Sequence, residues 1–190
     1  MSNFFKETDI DTSQAEAIVT ETLKNCDDGE LYLENHKSES IVLDDNKIKS
    51  STYNSDQGYG FRAVTGEVVA YSHSNDISKE SLRKSSENLK DTLKSKKGTY
   101  NHEIPKTNSK YYENINPIES KTFDSKIDLL NSVNNYLRSK GSIVNQVTAN
   151  FLGEHKSIEI IRSDNQVLKD DRPLVRSVSY THLRAHETCG

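Results

Sequence analysis

His182 and His186 stand four residues apart near the C-terminus, with Glu187 and Cys189 just beyond them. Two histidines at that spacing share one face of a helix, and with a carboxylate and a thiol nearby they have the makings of a metal centre. His102 and Glu103 open like a zinc-binding His-Glu-x-x-His, but the position of the second histidine is Lys106 and the next is Thr107. Pro105 also denies that stretch a helix. A surface His-Glu pair in a loop fits better. Gly58, Gly60 and Ala63 satisfy the loose dinucleotide pattern G-x-G-x-x-A. That pattern needs a buried strand before it and a helix after it. Here Thr65-Gly66, a hairpin signal, follows instead.

Asp56, Gln57 and Arg62 flank those glycines. Two readings suit the group Asp56, Gln57, Gly58, Gly60 and Arg62. They line a cleft or a subunit contact, or they mark a tight crossing where glycines let two backbones approach. Asp44 and Asp45 are neighbours on an expected strand and point to opposite faces, so they cannot work as an acid–base pair. No residue is assigned a catalytic, cofactor-binding or metal-binding role.

The histidines at the C-terminus carry a different signature. Residues 178–188 are identical to one reading frame of a transposase sequencing adapter, and Ser177 also fits the adapter bases just upstream. Residues 177–190 are therefore expected to be a non-biological tail, excluded from fold reasoning, with natural sequence ending near Arg176.

Bulk properties narrow the classes. The chain has 190 residues, 32% of them hydrophobic, and a formal net charge of -4. A nucleic-acid binder would carry a basic stripe. The densest basic cluster is Lys94, Lys96 and Lys97, which reads as a solvated helix end. No apolar run approaches the roughly 20 residues a membrane helix needs, and residues 1–11 do not look like a signal peptide. A cytoplasmic location is the expectation, with no nucleic-acid or membrane partner. Cys26 and Cys189 make no disulfide framework, and Cys26 fits a buried helix position.

The elements that position these residues follow from periodicity. A helix is expected from Ser13, with Ser13 and Glu16 at capping-box spacing and Ala15, Ile18, Val19, Leu23 and Cys26 on one stripe. Gly29 ends it with a positive φ. Strands follow at 30–35, 38–43, 47–53, 58–64 and 67–72, with turns at residues 44–46 and at Thr65-Gly66. Leu31 and Leu33 face one way and Tyr32 the other. Ser78 caps a second helix whose narrow stripe is Leu82, Leu89 and Leu93. Residues 94–121 form a long connection, with a short strand possible in principle near Tyr111 and Tyr112. A third helix spans 123–140, turning Ile127, Leu130, Val133 and Leu137 inward. Strands return at 143–152 and 157–162, and one more starts at Val167. The fold class is α+β: helix, antiparallel meander, helix, long connection, helix and further strands. The domain plan is 1–93 as an N-terminal α+β domain, 94–121 as connection, and 122–176 as the third helix and the start of a central domain.

Three stretches resemble the TldD/PmbA family. They are residues 29–33 with 39–45, residues 56–67 (the most specific, and similar to the TldD branch), and residues 147–149 with 171–176. The resemblance covers nearly all of residues 13–176, most weakly at 94–110. It implies an N-terminal, non-catalytic fragment of a metallopeptidase that hydrolyses peptides or unfolded segments with a zinc-activated water. It implies a homologous subunit as partner. The family's His-Glu-x-x-x-His helix and distant cysteine match no position here, so the fragment itself is expected to be inactive and to hold no cofactor. The alternative is a small stand-alone protein-interaction module without enzymatic activity.

Overall fold

The computed structural model describes residues 4–6, 8–94, 98–99, 113–162 and 166–184. Among them are three helices, α1 (Thr12–Leu23), α2 (Lys79–Leu93) and α3 (Phe123–Arg138). Five strands, β1 (Asp28–Asp44), β2 (Lys47–Thr65), β3 (Val68–Ser74), β4 (Val144–Arg162) and β5 (Val167–Leu183), form one antiparallel sheet ordered β3-β2-β1-β4-β5. The α+β class is as the sequence indicates, but the strands are longer. The pairs expected at 30–35 and 38–43, at 47–53 and 58–64, and at 143–152 and 157–162 are each one continuous strand. Polar residues in the middle of each do not break it, because a strand needs only extended backbone and a neighbour to bond.

Both early hairpins form where the turn chemistry puts them. Asp45 and Asn46 have φ of 49° and 65°, the paired left-handed conformation of a two-residue hairpin turn. Gly66, at φ 59°, turns β2 into β3, and the strands pair from Tyr59↔Ser74 to Thr65↔Val68.

Helix ends are where side-chain details depart from expectation. The capping box on α1 uses Asp11 and Gln14 rather than Ser13 and Glu16: the Gln14 N–H donates to Asp11 Oδ1 at 2.8 Å. α1 ends at Leu23, so Cys26 is buried beyond the helix, where burial raises its thiol pKa. Gly29 does not stop the helix with a positive φ. It lies in β1, where a Cβ would meet Leu23 Cδ2 at 2.5 Å and the Arg62 carbonyl at 2.6 Å.

The chain divides into two compact units that interleave along the sequence. The first comprises residues 1–36, 56–113 and 156–171, and the second 37–55, 114–155 and 172–190. In the first, Leu31, Leu33, Phe61, Ala63 and Ile161 from the strands meet Val19 and Leu23 of α1 and Leu82 and Leu89 of α2. The narrow stripe of α2 is completed by hydrogen bonds. Ser86 shares one with Thr22 of α1 at 2.6 Å, and Ser85 shares one with Tyr59 Oη at 2.8 Å. In the second unit, Leu130 of α3 packs with Ile41, Leu43, Ala149 and Phe151. Of the four residues expected to face inward on α3, Leu130 is fully buried and Ile127, Val133 and Leu137 are half-buried. The buried stripe is Lys126, Leu130 and Asn134, which spacing alone does not reveal because two of the three are polar. Ile143 precedes β4 and is exposed, whereas Val147, Ala149 and Phe151 are buried by alternation as expected.

Asp27 ties three segments of the first unit. Its carboxylate accepts from the Gly66 N–H and the Thr99 N–H, each at 2.7 Å, and its own N–H donates to the Val64 carbonyl at 2.8 Å. The bond from Gly66, then that from Thr99, holds the carboxyl below its usual range. A depressed folded pKa stabilises fully above the ordinary aspartate value, about 3.9, and that contribution fades as pH falls through the folded value. The gap in thermal midpoint between the wild type and Asp27→Asn should therefore be constant from pH 7 to about 5 and shrink below about pH 4. A gap that stays constant to pH 2 would show that the carboxylate's charge is not what stabilises the junction.

Tyr111 and Tyr112, where the connection had room for a short strand, lie outside the described residues, as do residues 95–97 and 100–110. β5 runs on through residues 177–183, and its exposed side chains there include Tyr180 and Leu183.

Candidate functional site

In the first unit the even-numbered residues of β1 turn away from the apolar core. Tyr32, Glu34 and His36 are half-buried between the fully buried Leu31 and Leu33 and the strand's polar middle. Together with Asp56, Gln57, Gly58 and Gly60 of β2 and Tyr71 and Ser74 of β3, they line an open cleft of about 320 Å³.

The glycines make room for it. A Cβ on Gly60 would meet Tyr71 Oη at 2.5 Å, and one on Gly58 would meet the Ser74 carbonyl at 2.8 Å. Tyr71 sits opposite Arg62 in the register, and its ring stacks on His73 with centroids 5.8 Å apart. On the β1 wall, Tyr32 Oη donates to Glu34 Oε2 at 2.5 Å, and Lys156 Nζ lies 3.3 Å from Glu34 Oε1. Burial alone would raise the Glu34 pKa. The Tyr32 hydroxyl and the Lys156 ammonium outweigh it, and the carboxyl is held below its usual range. Asn35 Nδ2 donates to Gln57 Oε1 at 3.5 Å.

Arg62 is not part of this cleft. Its Nε donates to Glu30 Oε1 at 3.0 Å and its Nη2 to Asp28 Oδ2 at 2.6 Å. Arg162 completes the cluster, with Nη2 2.7 Å from Asp28 Oδ1 and Nη1 3.5 Å from Glu30 Oε2. Two cations and two carboxylates thus neutralise each other across β1, β2 and β4. Of the five residues singled out by sequence, four line the cleft and Arg62 belongs to this neighbouring ion-pair cluster. Tyr32, Glu34, His36, Tyr71 and Ser74 were missed. The available signal was the alternation of Tyr32 and Glu34 with the apolar Leu31 and Leu33, which puts 32, 34 and 36 on the face away from the core.

Residues 29–94, which include every cleft residue named above, match the sequence model of PmbA/TldA metallopeptidase domain 1. A metalloprotease TldD homolog from Buchnera aphidicola subsp. Acyrthosiphon pisum is 33% identical over 154 residues, covering 80% of this chain and 32% of the relative. The chain belongs to the PmbA/TldD family. The corresponding TldD homolog of Haemophilus influenzae is also 33% identical, over 159 residues. This PmbA/TldD chain spans about a third of the length of the curated relatives it matches, 32% in each case. Solved structures share the fold. TldE from Thermococcus kodakarensis superposes with a TM-score of 0.64 at 13% identity, over 92% of this chain and 40% of that one. A Bacteroides thetaiotaomicron protein described as a candidate modulator of DNA gyrase gives 0.70 at 14% identity, over 94% and 42%.

The relatives are called metalloproteases, so the donor sets present bear on a metal. Among the described residues no three His, Cys, Asp or Glu side chains come together as a metal site. His182 is exposed on β5, while His186, Glu187 and Cys189, like His102 and Glu103, lie outside the described residues. Asp44, weighed above as an acid, instead accepts from Gln146 Nε2 and Thr148 Oγ1, each at 2.8 Å, and Asp45 pairs with Arg138. Among the described residues no helix is long and apolar enough to cross a membrane.

Proposed function

We propose that this chain is the N-terminal, non-catalytic part of a TldD-type metallopeptidase. The whole protein hydrolyses peptides or unfolded protein segments in the cytoplasm, using zinc held by residues outside this chain, in assembly with a homologous subunit. The observation that carries the reading is the 33% identity to TldD metalloprotease homologues along 80% of the chain, with domain 1 of the family matched at residues 29–94. The polar cleft supports it in one respect. Its groups are held by hydrogen bonds and ion pairs in an open recess, an arrangement suited to contact rather than to bond breaking. The domain plan of 1–93, 94–121 and 122–176 belongs to this reading, and residues 177–190 have no part in the function.

Incubating the purified chain with zinc and a set of unstructured peptides, and following cleavage by mass spectrometry, tests this. The expected result is no cleavage by the chain, and chelator-sensitive cleavage by a full-length version carrying the missing two thirds. Chelator-sensitive cleavage by the chain alone would refute it.

A further inference from the structure

We propose that the cleft beside Gly58 and Gly60 binds a single cationic side chain, the ammonium of a lysine or the guanidinium of an arginine, presented by a peptide. The proposal rests on the reading above only for the source of the cation; the site itself is argued from its own walls.

Charge comes first. Glu34 and Asp56 supply two carboxylates to the lining. Lys156 offsets part of Glu34, but its Nζ reaches Oε1 while Tyr32 holds Oε2, so the carboxylate is oriented and stays charged. Asp56 is exposed and has no ion-pair partner among the described residues. Counting Lys156, and with His36 of the lining taken as neutral, the cleft keeps a net negative charge. The Arg62 and Arg162 cluster is satisfied by Asp28 and Glu30 and offers it no further cation.

The walls point the same way. Tyr32 and Tyr71 place two phenol rings on the cleft, and Tyr71 leaves 64% of its surface exposed above the bare backbone of Gly60. Aromatic faces attract cations, and the combination of ring faces with carboxylates recognises alkylammonium and guanidinium groups. Anionic ligands would meet Glu34 and Asp56. A purely apolar ligand would strip water from both carboxylates without repaying it. Size limits the guest as well. A volume of about 320 Å³ is at the small end for ligand sites and takes one side chain.

The test is titration of Nα-acetyl-lysine methylamide into the full chain at 0.15 M salt, followed by amide chemical shifts in labelled protein. Nα-acetyl-norleucine methylamide, nearly the same shape without the charge, is the control. The expected result is saturable shifts centred on residues 32–36, 56–60 and 71–75 with the lysine probe. Norleucine should bind at least about tenfold more weakly, and Glu34→Gln and Tyr71→Leu should each weaken the lysine probe about tenfold. Both variants replace partly exposed side chains, and an unchanged amide spectrum away from the cleft verifies their folding. Equal shifts with norleucine, shifts centred elsewhere, or a Glu34→Gln variant that binds as well as the wild type would each overturn the proposal. Its failure leaves peptide hydrolysis by the full-length protein untouched, and lysine binding can stand even if no peptide is cleaved.

Discussion

Replacing Lys126 with methionine should destabilise the second unit by about 3–5 kcal/mol. Lys126 is a cation in an almost dry position: its side chain is 4% exposed and that of Glu39, its partner, 11%. The ammonium donates to Glu39 Oε2 and, at 2.7 Å, to the Ile118 carbonyl, and it lies 5.6 Å from the Phe151 ring centroid. Methionine keeps the volume and the packing on Phe151 but leaves the Glu39 carboxylate buried without its cation. That desolvated charge is what makes breaking a buried pair costly, more than the pair's own net worth. The double variant Lys126→Met with Glu39→Leu should therefore recover most of the loss. Urea denaturation of the single and double variants, followed by circular dichroism because the chain has no tryptophan, closes the cycle. If the single variant costs less than about 1 kcal/mol, water reaches Glu39 and the pair is not buried in solution.

Phe61→Ala should cost a similar amount, about 3–5 kcal/mol, in the first unit. Phe61 has no exposed surface and sits on β2 in the cluster where α1 and α2 meet the strands. Alanine removes a ring from close-packed surroundings that relax only partly, so a cavity remains in addition to the lost transfer energy. Val69→Ala on the adjacent strand is the control. Val69 is 59% exposed, and its truncation should change stability by no more than about 0.5 kcal/mol. Hydrogen exchange adds position: Phe61→Ala should speed exchange in α1 and α2, because both helices pack on that cluster. Equal effects of the two truncations would mean that this core is loosely packed in solution.

The two sites differ in how visible they are beforehand. Phe61 lies on the strand expected at 58–64, in the stretch most similar to the TldD family. Lys126 and Asn134 look like solvent-facing positions of a polar helix. Only the approach of Glu39 and Asn46, 87 and 88 residues earlier, makes those positions interior ones.

The sequence by itself determined the family resemblance, the α+β class, the two hairpin turns and the cap of α2. Each depends on residues close together in the chain: Asp45-Asn46 and Gly66 accept left-handed backbone, and Ser78 reaches its own helix. Local chemistry also indicated that Gly58 and Gly60 permit a close approach. What approaches them was a tertiary decision. The pairing of β2 with β3 sets Tyr71 over Gly60, and that of β1 with β2 brings Glu34 and Asp56 to the lining of one cleft. Arg62 went to Asp28 and Glu30 because two carboxylates on the adjacent strand lie within reach of its guanidinium. The continuity of β1, β2 and β4 was likewise invisible locally, since a polar mid-strand segment has no apolar period and is held extended by its neighbours' backbone bonds. Side-chain spacing reports which face a residue occupies; which residues share that face across a sheet follows from strand order, which no local pattern encodes.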